Sequence, residues 1–100
     1  MQTISAEDLK KRIEAGEKLN IIDVREPAEY AETNMGATLI PLGQIMNMQL
    51  GELENLREEE LIIHCKSGMR SMQACMALEQ MGFKNTVNLA GGIMAWNAII

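Results

Sequence analysis

One hundred residues, 47% of them hydrophobic and 23% charged, suffice for one compact domain with an ordinary core, are too few for two, and are too apolar to stay disordered. Nine Lys and Arg against fourteen Asp and Glu give a net charge of −5, and the longest basic run is Lys10-Lys11-Arg12, so no nucleic acid partner is expected. The longest apolar stretches, such as Leu61 to Ile63, fall far short of the roughly 20 residues that cross a bilayer, so no membrane partner is expected either.

Met1 to Ile4 runs directly into acidic Glu7 and Asp8 without the basic-then-apolar pattern of a secretory leader, which predicts a cytoplasmic chain. With only three aromatic residues, Leu, Ile and Met are expected to fill the core. Cys65 and Cys75 allow at most one disulfide, which a chain of this size does not need, so at least one is expected to be a working thiol.

In chain order, Ser5 stands as a helix N-cap with Asp8 three residues on, and Leu9 and Ile13 follow at helical spacing until Gly16, predicting a helix over Ala6 to Ala15. Asn20 to Val24 is a β-branched run that suits a buried, central parallel strand. Glu26 to Ala31 has Pro near a first turn and acids that favour the positive helix end, so a short helix follows. Thr38-Leu39-Ile40 before Pro41 predicts a small strand, and Leu42 to Met48 and Gly51 to Glu59 two weak helical pieces. Leu61 to His64 is the second strong strand, and Ser71 to Met81 a helix with Ala74, Ala77, Leu78 and Met81 on one stripe, closed by Gly82. Thr86 to Leu89 gives a further strand, Gly91-Gly92 a turn, and Ile93 to Trp96 the start of a terminal helix. Strands alternating with helices imply a doubly wound α/β fold with a mostly parallel sheet.

The informative segment is His64-Cys65-Lys66-Ser67-Gly68-Met69-Arg70-Ser71, between a buried strand and a helix, where open α/β sheets place their ligands. A loop wrapping back over Cys65 aims backbone N–H groups at its sulfur, and the next helix adds its positive end. Lowering a thiol pKa by two units takes roughly 2.7 kcal/mol and a helix end supplies only ~0.3 to 1. Loop amides, with Lys66 or Arg70, must therefore do the rest. Gly68 can take the positive φ such a cradle needs, and Ser67 and Ser71 offer hydroxyl donors. The plain alternative is an ordinary strand-to-helix loop with an inert cysteine.

Several segments together resemble the rhodanese family of sulfurtransferases from about Asn20 to Trp96: Ile22-Asp23-Val24-Arg25-Glu26 with Glu29-Tyr30, Gly36-Ala37, Ile40-Pro41-Leu42, Cys65 to Ser71, Gly82-Phe83-Lys84-Asn85, and Leu89-Ala90-Gly91-Gly92 with Ala95-Trp96. The resemblance implies one rhodanese-like domain over residues 1–100, with Cys65 as the catalytic nucleophile. Cys65 would take sulfane sulfur from thiosulfate or a persulfide donor and pass it to cyanide, a thiol or a protein acceptor, with no metal or organic cofactor. Lys66, Ser67, Gly68, Met69 and Arg70 become the substrate-binding residues, and Asp23, Arg25 and Ser71 the supporting ones. One departure is Thr33 to Ala37, shorter than the Gly-His-Ile-Pro-Gly-Ala stretch common in the family and lacking its His and Pro. The chain ends just beyond Trp96, where the family commonly continues for several residues, so a domain cut from a longer protein is one expectation; the end of the chain also resembles rhodanese domains fused to sulfur-carrier activating enzymes.

Two other readings compete with this one. His-Cys followed by Gly, Arg and Ser is also similar to the phosphate loop of cysteine phosphatases, but those have Cys-x5-Arg. Cys65 and Arg70 are one residue closer, which removes up to ~3.6 Å of contour from the cradle. A catalytically silent rhodanese-like module that binds partners or regulates is the other, and the presence of Cys65 speaks against it. Among single residues, Cys75 is expected in the core and not as a resolving thiol, and His64 as a hydrogen-bonded structural residue and not a base. Trp96 and most Met residues are expected in the core, with Met69 touching an acceptor. Lys66 is the substrate-charge candidate, while Arg70 is expected to pair with Asp23 or Glu26. His64, Cys65 and Cys75 lack the paired spacing of a zinc site.

Overall fold

A computed structural model describes all residues, Met1–Ile100. The elements are β1 (Gln2–Ile4), α1 (Ala6–Glu14), β2 (Ile21–Asp23), α2 (Pro27–Glu32), β3 (Thr38–Leu39), α3 (Leu42–Met46), a 3₁₀ helix (Gly51–Leu56), β4 (Glu60–His64), α4 (Met69–Gln80), β5 (Asn85–Leu89) and α5 (Gly92–Ile99). The five strands form one sheet in the order β1-β5-β4-β2-β3, and all neighbours are parallel. The fold is the expected α/β sheet flanked by helices. No helix is long and apolar enough to cross a membrane.

Period-two alternation along the strands divides the interior in two. Leu61, Ile63 and Cys65 point with Ile22 and Val24 into a core closed by Ile45, Leu53, Ala74, Cys75, Leu78 and Phe83, on the side of α3, α4 and the 3₁₀ helix. Ile62, Val87 and Leu89 point the other way and pack with Ala6 and Leu9, with Trp96 and Ile99 partly buried beside them. Each fully buried Leu or Ile contributes about 1.5–3 kcal/mol, so the central strands anchor everything that leaves their carboxyl ends. In the register Ile22 is opposite Ile63 and Asp23 opposite His64, while Ile62 is opposite Val87 and Ile63 opposite Asn88. The ends of β2, β4 and β5 therefore emerge side by side.

Several expectations are corrected. Strand β1 carried no local signal: it is a short edge strand, mostly exposed, that exists by pairing with β5. Helix α4 starts at Met69, so Met69 and Arg70 lie in its first turn and not in the loop. The piece after Gly51 is 3₁₀. None of the nine Met residues is buried. Met69, Met72 and Met76 run along the outer face of α4, where an unbranched side chain suits the helix, and Leu and Ile fill the core instead. The atypical Thr33 to Ala37 segment is tied down locally. The Tyr30 hydroxyl donates to the Ala37 carbonyl at 2.7 Å, Asn34 Nδ2 to the Tyr30 carbonyl at 3.0 Å, and the Gly36 N–H to Asn34 Oδ1 at 2.9 Å.

Candidate active site

Strand β4 delivers Cys65 to the floor of a short loop, 1% exposed. Gly68, at φ 116°, takes a backbone conformation closed to other residues, and this turns its N–H onto the Cys65 sulfur at 3.1 Å. The Ser71 hydroxyl, in the first turn of α4, lies 3.4 Å from the same sulfur. Burial alone would push the thiol pKa up; the Ser71 hydroxyl and the backbone amides of Ser71, Gly68 and Ser67 outweigh it and bring the thiol below its ordinary range. Cys75, equally buried but facing the core, is pushed up to about 11, chiefly by burial.

The loop is held from behind by α5. The Ile93 N–H donates to the Cys65 carbonyl at 2.9 Å and the Met94 N–H to the Lys66 carbonyl at 3.1 Å. A Cβ on Gly92 would sit 2.5 Å from both carbonyl oxygens, so only glycine lets the helix approach this closely. Gly91-Gly92, expected as a turn, is the N-cap and first residue of α5.

The expected supporting pair is buried but turned to each other. Arg25 donates from Nε to Asp23 Oδ1 at 3.0 Å and from a terminal nitrogen to Oδ2 at 2.7 Å, and the same nitrogen reaches the Thr33 carbonyl at 2.8 Å. This locks the corner between β2 and β3. Behind the pair, His64 places Nδ1 3.2 Å from the Cys65 carbonyl, while Nε2, 3.6 Å from Asp23 Oδ2, has no hydrogen-bond partner. Burial pushes the His64 pKa down, against the pull of Asp23, and its ring makes no hydrogen bond to the sulfur.

Arg70 does not pair with Asp23 or Glu26. Its two terminal nitrogens grip both carboxylate oxygens of Glu29 on α2, at 2.7 and 2.9 Å. Asp23 is already committed to Arg25, and the paired guanidinium holds the Glu29 carboxyl near 2. Lys66 and Ser67 are exposed. Lys66 makes no ion pair and edges an open cavity of about 260 Å³ with Arg25, Glu32, Thr33 and Met94. Met69 is 68% exposed beside the loop.

Asn88 was not singled out by sequence. Its Nδ2 donates to the Gly68 carbonyl at 3.3 Å and its Oδ1 accepts from the Ser71 hydroxyl at 2.5 Å. The available signal was a polar residue within the apolar strand Thr86-Val87-Asn88-Leu89, whose end a parallel sheet brings beside the loop.

A buried cysteine at the carboxyl end of a parallel strand, its sulfur met by loop amides and a hydroxyl that lower its pKa, defines an α/β domain with an acidified thiol at the carboxyl edge of its sheet. The Rhodanese-like domain family model matches residues 5–99, and the chain belongs to the rhodanese-like domain family. The Bacillus subtilis protein named "Putative sulfurtransferase YtwF" is 44% identical over 96% of this chain and 90% of its own. A protein of Allochromatium vinosum named "Sulfurtransferase" is 34% identical over 93% and 85%. The crystal structure of a rhodanese-like domain protein from Staphylococcus aureus superposes with a TM-score of 0.82 at 32% identity, covering 96% of this chain and 91% of that one.

Proposed function

We propose that the protein is a sulfurtransferase in which Cys65 carries sulfane sulfur as a persulfide. The Cys65 thiolate attacks the outer sulfur of thiosulfate or of a persulfide donor. The donor's S–S bond breaks, sulfite or a thiolate leaves with the electron pair, and a terminal sulfur stays on Cys65. Cyanide, a thiol or a protein nucleophile then takes that sulfur and restores the thiolate, a ping-pong sequence. The observation that carries this reading is the Gly68 N–H at 3.1 Å from the Cys65 sulfur, in a loop whose other amides also favour negative charge there. Preorganised amides stabilise an anion without reorganising during the reaction. Lys66, exposed and unpaired, supplies attraction for an anionic donor, and Met69 offers an apolar contact for an acceptor. Both cysteines are free thiols, which fits a cytoplasmic setting.

The test is turnover of thiosulfate plus cyanide, read as thiocyanate, alongside an aryl phosphate. The protein is expected to form thiocyanate and to leave the phosphate ester intact, because the loop is one residue shorter than a phosphate cradle. Absent thiocyanate with every donor tried, or phosphate release abolished by Cys65→Ser, would overturn the reading.

A further inference from the structure

This inference rests on Cys65 being the nucleophile. The Ser71 hydroxyl has one proton and three acceptors around it: the Cys65 sulfur at 3.4 Å, the Gly68 carbonyl at 3.1 Å and Asn88 Oδ1 at 2.5 Å. Asn88 is buried. Its Nδ2 donates to the Gly68 carbonyl at 3.3 Å, which fixes the amide and keeps Oδ1 against Ser71.

Counting donors gives two states. With Cys65 a thiol, S–H points to Ser71 Oγ, the Ser71 O–H points to Asn88 Oδ1, and both side chains are satisfied. With Cys65 a thiolate, the sulfur can only accept, and the single Ser71 proton turns to it because an ionised acceptor outcompetes a neutral one. Asn88 Oδ1 is then left buried and facing the lone pairs of Ser71 without a donor, which weighs against ionisation.

We propose that Asn88 is a positioning residue that competes with the Cys65 sulfur for the Ser71 proton and so keeps the thiol from becoming too acidic. The competition has a use: thiolate nucleophilicity falls as its pKa falls, and the best attacking thiol has a pKa near ambient pH. Loop amides without this counterweight would make a more abundant but less reactive thiolate. The charged groups around the loop are Lys66 on the loop itself, Arg70 of α4 tied to Glu29 of α2, and the Asp23–Arg25 pair with His64 behind it. Neither β5 nor α5 contains an ionisable side chain, so Asn88 acts through its amide alone.

The test is the rate of Cys65 alkylation by iodoacetamide across pH, read by peptide mass spectrometry on the full chain. Asn88→Ala is expected to move the midpoint down by about half a pH unit or more, since one unit is a tenfold change in ionisation. Asn88→Asp should move it up, and Asn88→Ala should move nothing in a Ser71→Ala background. A merely loosened loop would raise the midpoint in both Asn88 variants; that result, or no shift in Asn88→Ala, overturns the proposal and leaves the nucleophile reading intact. If the variants do not fold, the Asn88 side-chain amide NMR signals of the wild type serve instead. They should titrate with the Cys65 midpoint, and a flat response overturns the proposal. A wild-type Cys65 no more reactive than Cys75 at any pH would overturn the nucleophile reading itself.

Discussion

Cys65 and Cys75 are the same side chain, both buried, and their acidities are displaced in opposite directions. Burial raises both; what separates them is that the loop amides join a hydroxyl at the Cys65 sulfur and outweigh burial there, whereas the Thr86 hydroxyl does not offset it at Cys75. The charged neighbours are sorted just as sharply. Arg70 is occupied by Glu29, which leaves Lys66 unpaired on a protein of net charge −5, and in the proposed reaction it is Lys66 that meets an anionic donor. Lys66→Ala is therefore expected to raise the KM for thiosulfate about two- to fivefold at low salt with little change in kcat, the effect of one exposed charge on ground and transition states alike. Initial-rate kinetics at two ionic strengths checks this, and an unchanged KM at low salt would contradict it. The Glu29 carboxyl, held near 2 in the folded protein against about 4.3 unfolded, makes a contribution to stability that is complete above the unfolded value. It is lost as pH falls through the folded one. Because the pair is about one-third exposed, its worth is at most about 1 kcal/mol. Urea unfolding should show wild type more stable than Glu29→Gln near neutral pH, with the difference vanishing toward about pH 2.

The Cys65 loop belongs to three elements at once: β4 delivers Cys65, α4 turns Ser71 onto it, and α5 presses its first amides onto the loop carbonyls. The last approach makes Gly92 the most constrained glycine near the site, with φ 58° and no room for a Cβ. Gly92→Ala is expected to cost about 2–3 kcal/mol or more, by strain and backbone collision, and to lower sulfur transfer over tenfold by displacing the Cys65 and Lys66 carbonyls. Gly43→Ala in α3, where a Cβ meets nothing within 4 Å, is the control and should be neutral or slightly stabilising. Thermal unfolding and turnover of both variants check the pair; a Gly92→Ala protein as stable and active as wild type would contradict the role given to α5.

At the scale of the whole molecule, what the sequence revealed is what is local. Ile21 to Asp23 and Leu61 to His64 announce buried strands by composition, Ser5 caps its helix by a side chain that accepts from the Asp8 N–H at 3.0 Å, and Cys65 to Ser71 carries its own chemistry. What stayed hidden depends on partners far along the chain. Strand β1 is a strand only against β5. Arg70 had several acids between Asp23 and Glu29 to choose from, and the choice fell to Glu29 because Arg25 had taken Asp23. Asn88 reaches the site only because the order β1-β5-β4-β2-β3 puts β5 beside β4. The outward face of α4 decided the fate of its Met residues. The central claim, that Cys65 alone carries sulfur, is tested most directly by intact mass and peptide mapping after exposure to thiosulfate and then to cyanide. The account predicts that wild type and Cys75→Ser gain one sulfur atom on Cys65 and lose it to cyanide, while Cys65→Ser gains none. Sulfur on Cys75, or a loaded Cys65→Ser protein, would contradict it.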